Sequence, residues 1–354
     1  GPHVAAFEQK FSLFTGSAHA LATTSCSTAL HAAPSALGIG PGDEVIVPAF
    51  TWVATAHAAE HLGARAVFVD VDPDTFNLDP AQLHSAVTDR TRAVVPVHLF
   101  GLAADMAAVS AFARRHDLFV VEDAACGFGT TYRGSHVGTL GDAGCFSFHP
   151  RKAITTGEGG MITTNELALA ERIDSLRNHG AGGSGFGDFP NLGFNFRMTD
   201  LQGALGSAQM DRADDILSGR RAAAARYDAL LSSVDWLQLP SSPTHSEHSY
   251  QSYVTRFLGG DADALRLLRD GIMANLDAQG IATRQGTHAV PTLGYYSGKY
   301  GYVAGDFPGA HLAESASLAL PLFPTISESQ QARVVDALLR AHSTLHRPLV
   351  YATA

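Results

Sequence analysis

The chain has 354 residues, 45% of them hydrophobic and only 16% charged, with a formal net charge of −10. This excludes a disordered chain, leaves no basic footprint for nucleic acid or an anionic membrane, and suits one large and one smaller domain with surface buried against another subunit. Cys26, Cys126 and Cys145 are too scattered for a disulfide framework or a zinc CxxC pair. With no apolar run of membrane-span length and no signal pattern at the N-terminus, a soluble cytoplasmic protein is the expectation.

In chain order, Thr24-Ser-Cys-Ser-Thr-Ala29 precedes a helix running to about Leu37. Short β-branched runs then read as buried strands: Glu44–Pro48, Ala66–Asp70, Ala93–Val97, Leu118–Glu122, Gly144–Phe148 and Met161–Thr164. Between them Thr51–Leu62, Pro80–Val87 and Met106–His116 have helical character, which makes a βαβ series and a mostly parallel sheet flanked by helices. In such sheets ligands sit at the carboxyl ends of the strands. The glycine-rich stretch Gly180–Gly193 reads as a loop or lid, and Thr199–Leu231 as one long helix. Leu239–His248 breaks the periodicity and divides a large domain, residues 1–240, from a smaller C-terminal α+β domain, residues 241–354. His245 and His248, in that Pro/Ser-rich segment, read as solvated rather than as a metal pair. Ser252–Leu258 reads as a strand and Asp263–Gln279 as an amphipathic helix. Ser327-Glu-Ser-Gln330 has the spacing of a capping box that opens a last helix.

One lysine stands out. Lys152 follows an apolar strand and precedes a glycine-rich turn in Cys145-Phe-Ser-Phe-His-Pro-Arg-Lys-Ala-Ile-Thr-Thr-Gly-Glu-Gly-Gly160. Burial beside other cations would lower its pKa and make it a nucleophilic amine, able to form a Schiff base with an aldehyde. A solvated loop charge is the ordinary alternative. Asp123 closes the strand Val120-Val-Glu-Asp and points either into the ligand crevice or at the next helix as an N-cap. The hydroxylated run at residues 24–28 offers free N–H groups to an anion or caps its own helix. Trp52, in the turn after a strand, stacks on a ligand ring or packs in the core.

Together these residues supply what pyridoxal phosphate (PLP) requires: an amine, an anion for the ring nitrogen, phosphate donors and an aromatic plate. The combination of Ser-Phe-His-Pro-Arg-Lys-Ala-Ile-Thr-Thr-Gly-Glu-Gly-Gly, Glu-Asp-Ala-Ala, Gly-Pro-Gly-Asp-Glu-Val-Ile-Val-Pro and Gly-Phe-Asn-Phe-Arg-Met-Thr-Asp-Leu-Gln resembles the DegT/DnrJ/EryC1/StrS family of sugar aminotransferases, from residue 1 to about residue 340. The resemblance implies a fold-type I PLP-dependent transferase. It implies that Lys152 holds the cofactor and shuttles a proton, that Asp123 pairs with the ring nitrogen, and that Trp52 stacks on the ring. Ser27, the amide of Cys26 and Ser147 would bind the phosphate. Asn195, with Arg197 close by, would reach the phosphate of the neighbouring subunit, so that a homodimer completes the site. Arg197 and His288 would face substrate.

Two residues depart from the family pattern: Cys26 stands where glycine is usual, and Cys126 where glutamine or histidine usually contacts the ring hydroxyl. The resemblance also expects a further segment of roughly one helix and a loop ahead of Gly1, with Gly1-Pro2 as native sequence. The implied reaction is ping-pong transfer of an amino group from an amino acid, by resemblance glutamate, to a keto-sugar carried on a nucleotide. A dehydratase of the same fold would replace the lysine with histidine, so Lys152 argues against it. A non-catalytic PLP-binding regulator conflicts with retention of Lys152, Asp123 and Asn195, and a Rossmann nucleotide-binding protein would need a G-x-G-x-x-G after the first strand, where none stands.

Overall fold

The apolar runs assemble into one seven-stranded sheet, in the order His19–Thr23, Gly160–Thr164, Ala143–Ser147, Phe119–Asp123, Thr91–Val94, Glu44–Pro48 and Arg65–Val69. The computed structural model describes residues 1–182, 187–240 and 243–345. Neighbours from Ala143–Ser147 to Arg65–Val69 pair in parallel, and Gly160–Thr164 runs antiparallel to both of its neighbours. Successive side chains on a strand leave by opposite faces, so a sheet covered on both sides needs unbroken apolar strands. Thus Val45 and Val47 enter one core and Ile46 the other. The first core is closed by the helices Cys26–Ala36, Val53–His61 and Leu167–Arg177, the second by Pro2–Thr15 and Met106–His116.

A third core joins Tyr227 and Leu231 to Tyr253, Phe257, Ile272, Leu318 and Leu338. It lies on an antiparallel sheet of Leu237–Gln238, Tyr253–Phe257 and Ser317–Leu320, with the helices Ala262–Asp277 and Glu328–Leu345 against it. The capping box at Ser327 is present: the Gln330 amide donates to Ser327 Oγ at 3.2 Å and the Ser327 amide to Gln330 Oε1 at 2.9 Å.

Several elements differ from the sequence expectation. The chain opens with a helix, Pro2–Thr15, whose Val4, Phe7 and Phe11 are buried. It packs on the helix Asp200–Met210 because glycines there clear the way: a Cβ at Gly203 would lie 2.6 Å from the Val4 amide nitrogen, and one at Gly206 2.6 Å from the Phe7 ring. The single helix expected over Thr199–Leu231 is two, Asp200–Met210 and Ala213–Leu231, parted at Asp211 and Arg212. The helix expected from Pro80 is a 3₁₀ turn followed by only Leu83–Ala86. The stretch around His248 is no plain linker. Ser246–Glu247 pairs with Thr131–Tyr132, and His248 is buried, accepting the Tyr250 amide at Nδ1 over 2.8 Å, with burial and then Arg221 pushing its pKa down to about 3. Residues 241, 242 and 346–354 of the C-terminal part lie outside the described residues, as do residues 183–186 of the glycine-rich stretch. No helix among the described residues is long and apolar enough to cross a membrane.

A buried polar knot fixes the strand end that carries Asp123. Glu122, fully buried, accepts from His98 Nε2 at 2.8 Å and from the amides of Gly138, Leu140 and Gly141 at 2.7 Å each. His98 Nδ1 accepts the Ala104 amide, which leaves the ring proton on Nε2 facing Glu122. Glu122→Ala leaves these donors without an acceptor, and a loss of about 3 to 5 kcal/mol is expected. The check is a lower urea midpoint at unchanged slope; a midpoint equal to that of the parent protein refutes the role.

Candidate active site

Asp123 ends its strand with its side chain on the face opposite Glu122, as strand alternation requires. It is 4% exposed, and its carboxylate accepts from Thr55 Oγ1 at 2.6 Å and from the Ala125 amide at 3.1 Å. Neither donor is a cation, so burial dominates and raises its pKa from the usual carboxylate value. The amide bond to Ala125 comes from the chain just ahead, and Thr55 is brought by the helix Val53–His61.

Lys152 lies in the turn between the strands Ala143–Ser147 and Gly160–Thr164, and its amide donates to the His149 carbonyl at 2.9 Å. Gln251 clamps this turn on both sides of the lysine: Oε1 accepts the Ala153 amide and Nε2 donates to the Arg151 carbonyl, each at 2.9 Å. Lys152 Nζ reaches Cys126 Sγ at 3.1 Å. The expectation of an amine depressed by neighbouring cations is corrected here. Burial lowers its pKa, but Cys126 against Nζ, together with Cys26 and the Asp123 carboxylate, raises it by more, and the net direction is up.

Ser25 caps the helix Cys26–Ala36 in a reciprocal pair with Thr28, which leaves the first-turn amides of Cys26 and Ser27 outside the helix's own bonding. A Cβ at Gly160 would collide with the Ser25 carbonyl, so the reversed strand passes tightly beneath this turn. Cys26 is buried with its thiol against the Cys145 carbonyl, and burial raises its pKa. Trp52 is 56% exposed, so it is no core residue, and its ring lies 5.7 Å from that of His288. His288–Ala289 pairs with Phe50–Thr51, which fixes the histidine beside the tryptophan turn, where Gln285 contacts its Nδ1 at 3.0 Å.

Cys26, Ser27, Trp52, Asp123, Cys126, Ser147, Lys152 and His288 line one cavity of about 470 Å³. Asn195 and Arg197 do not. Their segment runs along the outer edge of His19–Thr23, where Thr23 bridges Arg197 and the Thr24 amide donates to the Phe196 carbonyl. Arg197 Nη1 donates to Asn178 there, at 2.7 Å. Thr55 and Gln251 went unread in the sequence. A hydroxyl inside a helix and a glutamine about a hundred positions from the lysine carry no local signal. A more open hollow of about 630 Å³, lined by Arg133, Arg221, His245 and His248, holds none of these groups.

Residues 1–339 match the DegT/DnrJ/EryC1/StrS aminotransferase family. The chain belongs to that family. It is 40% identical to the spore coat polysaccharide biosynthesis protein SpsC of Bacillus subtilis, over 96% of this chain and 89% of the relative. It is 41% identical to the GDP-perosamine synthase of Caulobacter vibrioides, over 96% and 90%. The sugar aminotransferase Spr1654 of Streptococcus pneumoniae, described in its source as putative, superposes in its PMP form with a TM-score of 0.92 at 27% identity, covering 98% of this chain and 92% of that one. Its PLP form gives 0.91 at 28% identity, covering 97% and 92%. This member of the DegT/DnrJ/EryC1/StrS family is therefore a PLP-dependent sugar aminotransferase of fold type I. The cavity fits the cofactor: it joins an amine, a buried carboxylate bonded to no cation, a helix N-terminus and an exposed aromatic ring.

Proposed function

We propose that the enzyme moves an amino group from an amino acid, glutamate, to a keto-sugar carried on a nucleotide, in two half-reactions at one site. The observation that carries this reading is the placing of Lys152 Nζ and the buried Asp123 carboxylate on one cavity. When bound, PLP supplies an electron sink for breaking the Cα–H bond of the substrate. Lys152 would hold the cofactor, then take and return the substrate proton at Nζ, a base and acid in turn. Asp123 would hold positive charge at the ring nitrogen, Trp52 would cover the ring, and Ser27, Ser147 and the Cys26 amide would bind the phosphate. Cys126 stands against Lys152 Nζ, where its sulfur can steady the amine.

On this reading Asn195 and Arg197, outside the cavity of their own protomer, serve the site of a neighbouring subunit in a cytoplasmic homodimer. His288 faces the sugar, and the two domains divide near residue 240. The GDP-linked product in the name of the Caulobacter relative supports a nucleotide-linked acceptor, and the polysaccharide biosynthesis in the name of SpsC supports a product destined for polysaccharide. The test follows the visible absorbance of the purified holoenzyme. Glutamate should bleach it, and a nucleotide-linked keto-sugar, unlike a free one, should restore it. A protein that stays colourless with added PLP, or whose colour no amino acid changes, refutes the reading.

A further inference from the structure

A second cavity of about 220 Å³ adjoins the first, and Arg151, Gln251, Ser252 and Arg284 line both. Three arginines, Arg151, Arg220 and Arg284, line the smaller one, and no carboxylate does. Among the described residues none of the three forms an ion pair.

Arg220 is 6% exposed; its Nη1 donates to the carbonyls of Tyr250 at 3.0 Å and Gln251 at 3.2 Å, while its Nε, also buried, has no partner. Thr283 Oγ1 on the same cavity is likewise buried and unpartnered. Buried donors are nearly always satisfied, so two orphans on one wall call for an acceptor that the chain itself does not provide. Arg151 and Arg284 are solvent-accessible, which places them nearer the opening, and Arg151 directly precedes Lys152. Burial lowers the pKa of Arg220, and burial together with the Arg151 guanidinium lowers that of Arg284. Cations gathered without a counter-charge are relieved by an anion, and guanidinium forks match oxyanions best.

We propose that the smaller cavity is an oxyanion subsite of the active site, in which Arg220 and Thr283 within, and Arg151 and Arg284 at the opening, receive a charged group of a substrate whose reacting carbon stands at Lys152. The proposal rests on the aminotransferase reading above. Two substrates offer such a group: the second carboxylate of a dicarboxylic amino donor, and the diphosphate of a nucleotide-linked acceptor.

The experiment compares holoenzyme with Arg284→Gln and with Thr283→Val, the latter a neutral change of nearly equal shape. One arm measures the half-saturating concentration of glutamate, and of alanine as a monocarboxylate, from the loss of cofactor absorbance. The other titrates 2-oxoglutarate, UDP and GDP by calorimetry. Arg284→Gln should weaken one of the two oxyanion classes about tenfold or more and Thr283→Val should weaken the same class about fivefold, with alanine unchanged. Weakening confined to glutamate and 2-oxoglutarate assigns the carboxylate; weakening confined to the nucleotides assigns the diphosphate. Affinities within twofold of the parent enzyme for every ligand in both variants overturn the subsite. The calorimetric arm needs no turnover, so it reads the subsite even if no amino acid alters the colour, an outcome that would refute only the aminotransferase reading.

Discussion

Lys152→Ala is expected to lower transamination by about 10⁴-fold or more while leaving the fold intact. An amine that both holds the cofactor and moves the substrate proton has no understudy in this cavity, because the nearest alternative bases are differently placed or differently bonded. His149 lines the cavity, but its Nδ1 accepts the Arg151 amide at 3.2 Å and its Nε2 faces Glu158 at 3.8 Å. The bonds that shape the lysine turn are all to backbone: the Lys152 amide to His149, and the Gln251 amide group to Arg151 and Ala153. Truncating the side chain leaves each of them in place, so the melting temperature should move little. Borohydride reduction followed by peptide mass analysis supplies a readout independent of turnover. The parent enzyme should carry the cofactor mass on the Lys152 peptide, and the variant should carry it nowhere. A variant that still transaminates at the parent rate, or a parent enzyme whose label falls on another lysine, refutes the assignment.

What could be read from sequence follows how locally each feature is encoded. The strands Glu44–Pro48 and Phe119–Asp123 are rich in β-branched residues and, Phe119 apart, buried on both faces, and such runs have few other uses. Lys152, Asp123 and the Ser25 turn were legible for a related reason, since each sits at the end of a strand or the start of a helix, where α/β sheets gather ligands. His19–Thr23 was not legible, because His-Ala-Leu-Ala-Thr has little β character and becomes a strand by pairing with Gly160–Thr164. The opening helix did carry a signal, with Val4, Phe7 and Phe11 at helical spacing and a proline in its first turn. The break at Asp211 and Arg212 had none comparable. Least legible were Thr55 and Gln251, whose bonds to Asp123 and to the lysine turn span 68 residues in one case and 98 to 100 in the other. Burial was misjudged at His248, and for Trp52 the sequence left stacking on a ligand ring and core packing both open. Trp52, an aromatic residue, stands exposed beside a cavity, while His248, in a polar stretch, is buried. Exposed aromatics and buried imidazoles are set by tertiary neighbours that periodicity does not report.

Asp123→Asn should separate catalysis from stability, lowering the rate about 10²- to 10³-fold while stabilising the cofactor-free protein. The carboxylate is buried against one hydroxyl and one amide, without a bonded cation, and its pKa is raised by that burial. A raised pKa means that the folded state holds its proton more tightly than the unfolded one. Stability contributed by Asp123 is therefore greatest at acid pH, falls as pH rises from the ordinary carboxylate value through the raised folded value, and stays low above it. Asparagine removes that loss and can still be satisfied: its amide can donate to Thr55 Oγ1, whose own proton, freed from the carboxylate, can turn to Thr51 Oγ1, 3.0 Å away. The apo-variant should thus melt above the apo-parent at neutral pH, and the difference should shrink toward acid. The kinetic penalty has the same origin, since the charge that burdens the empty cavity is the counter-charge for a protonated ring nitrogen, and a neutral amide cannot supply it. Melting curves of both apo-proteins across the acid range, set beside single-turnover rates of both holoenzymes, provide the check. A variant that transaminates normally, or whose apo-form melts below the parent at neutral pH, contradicts the placement of an unpaired buried charge at the heart of the site.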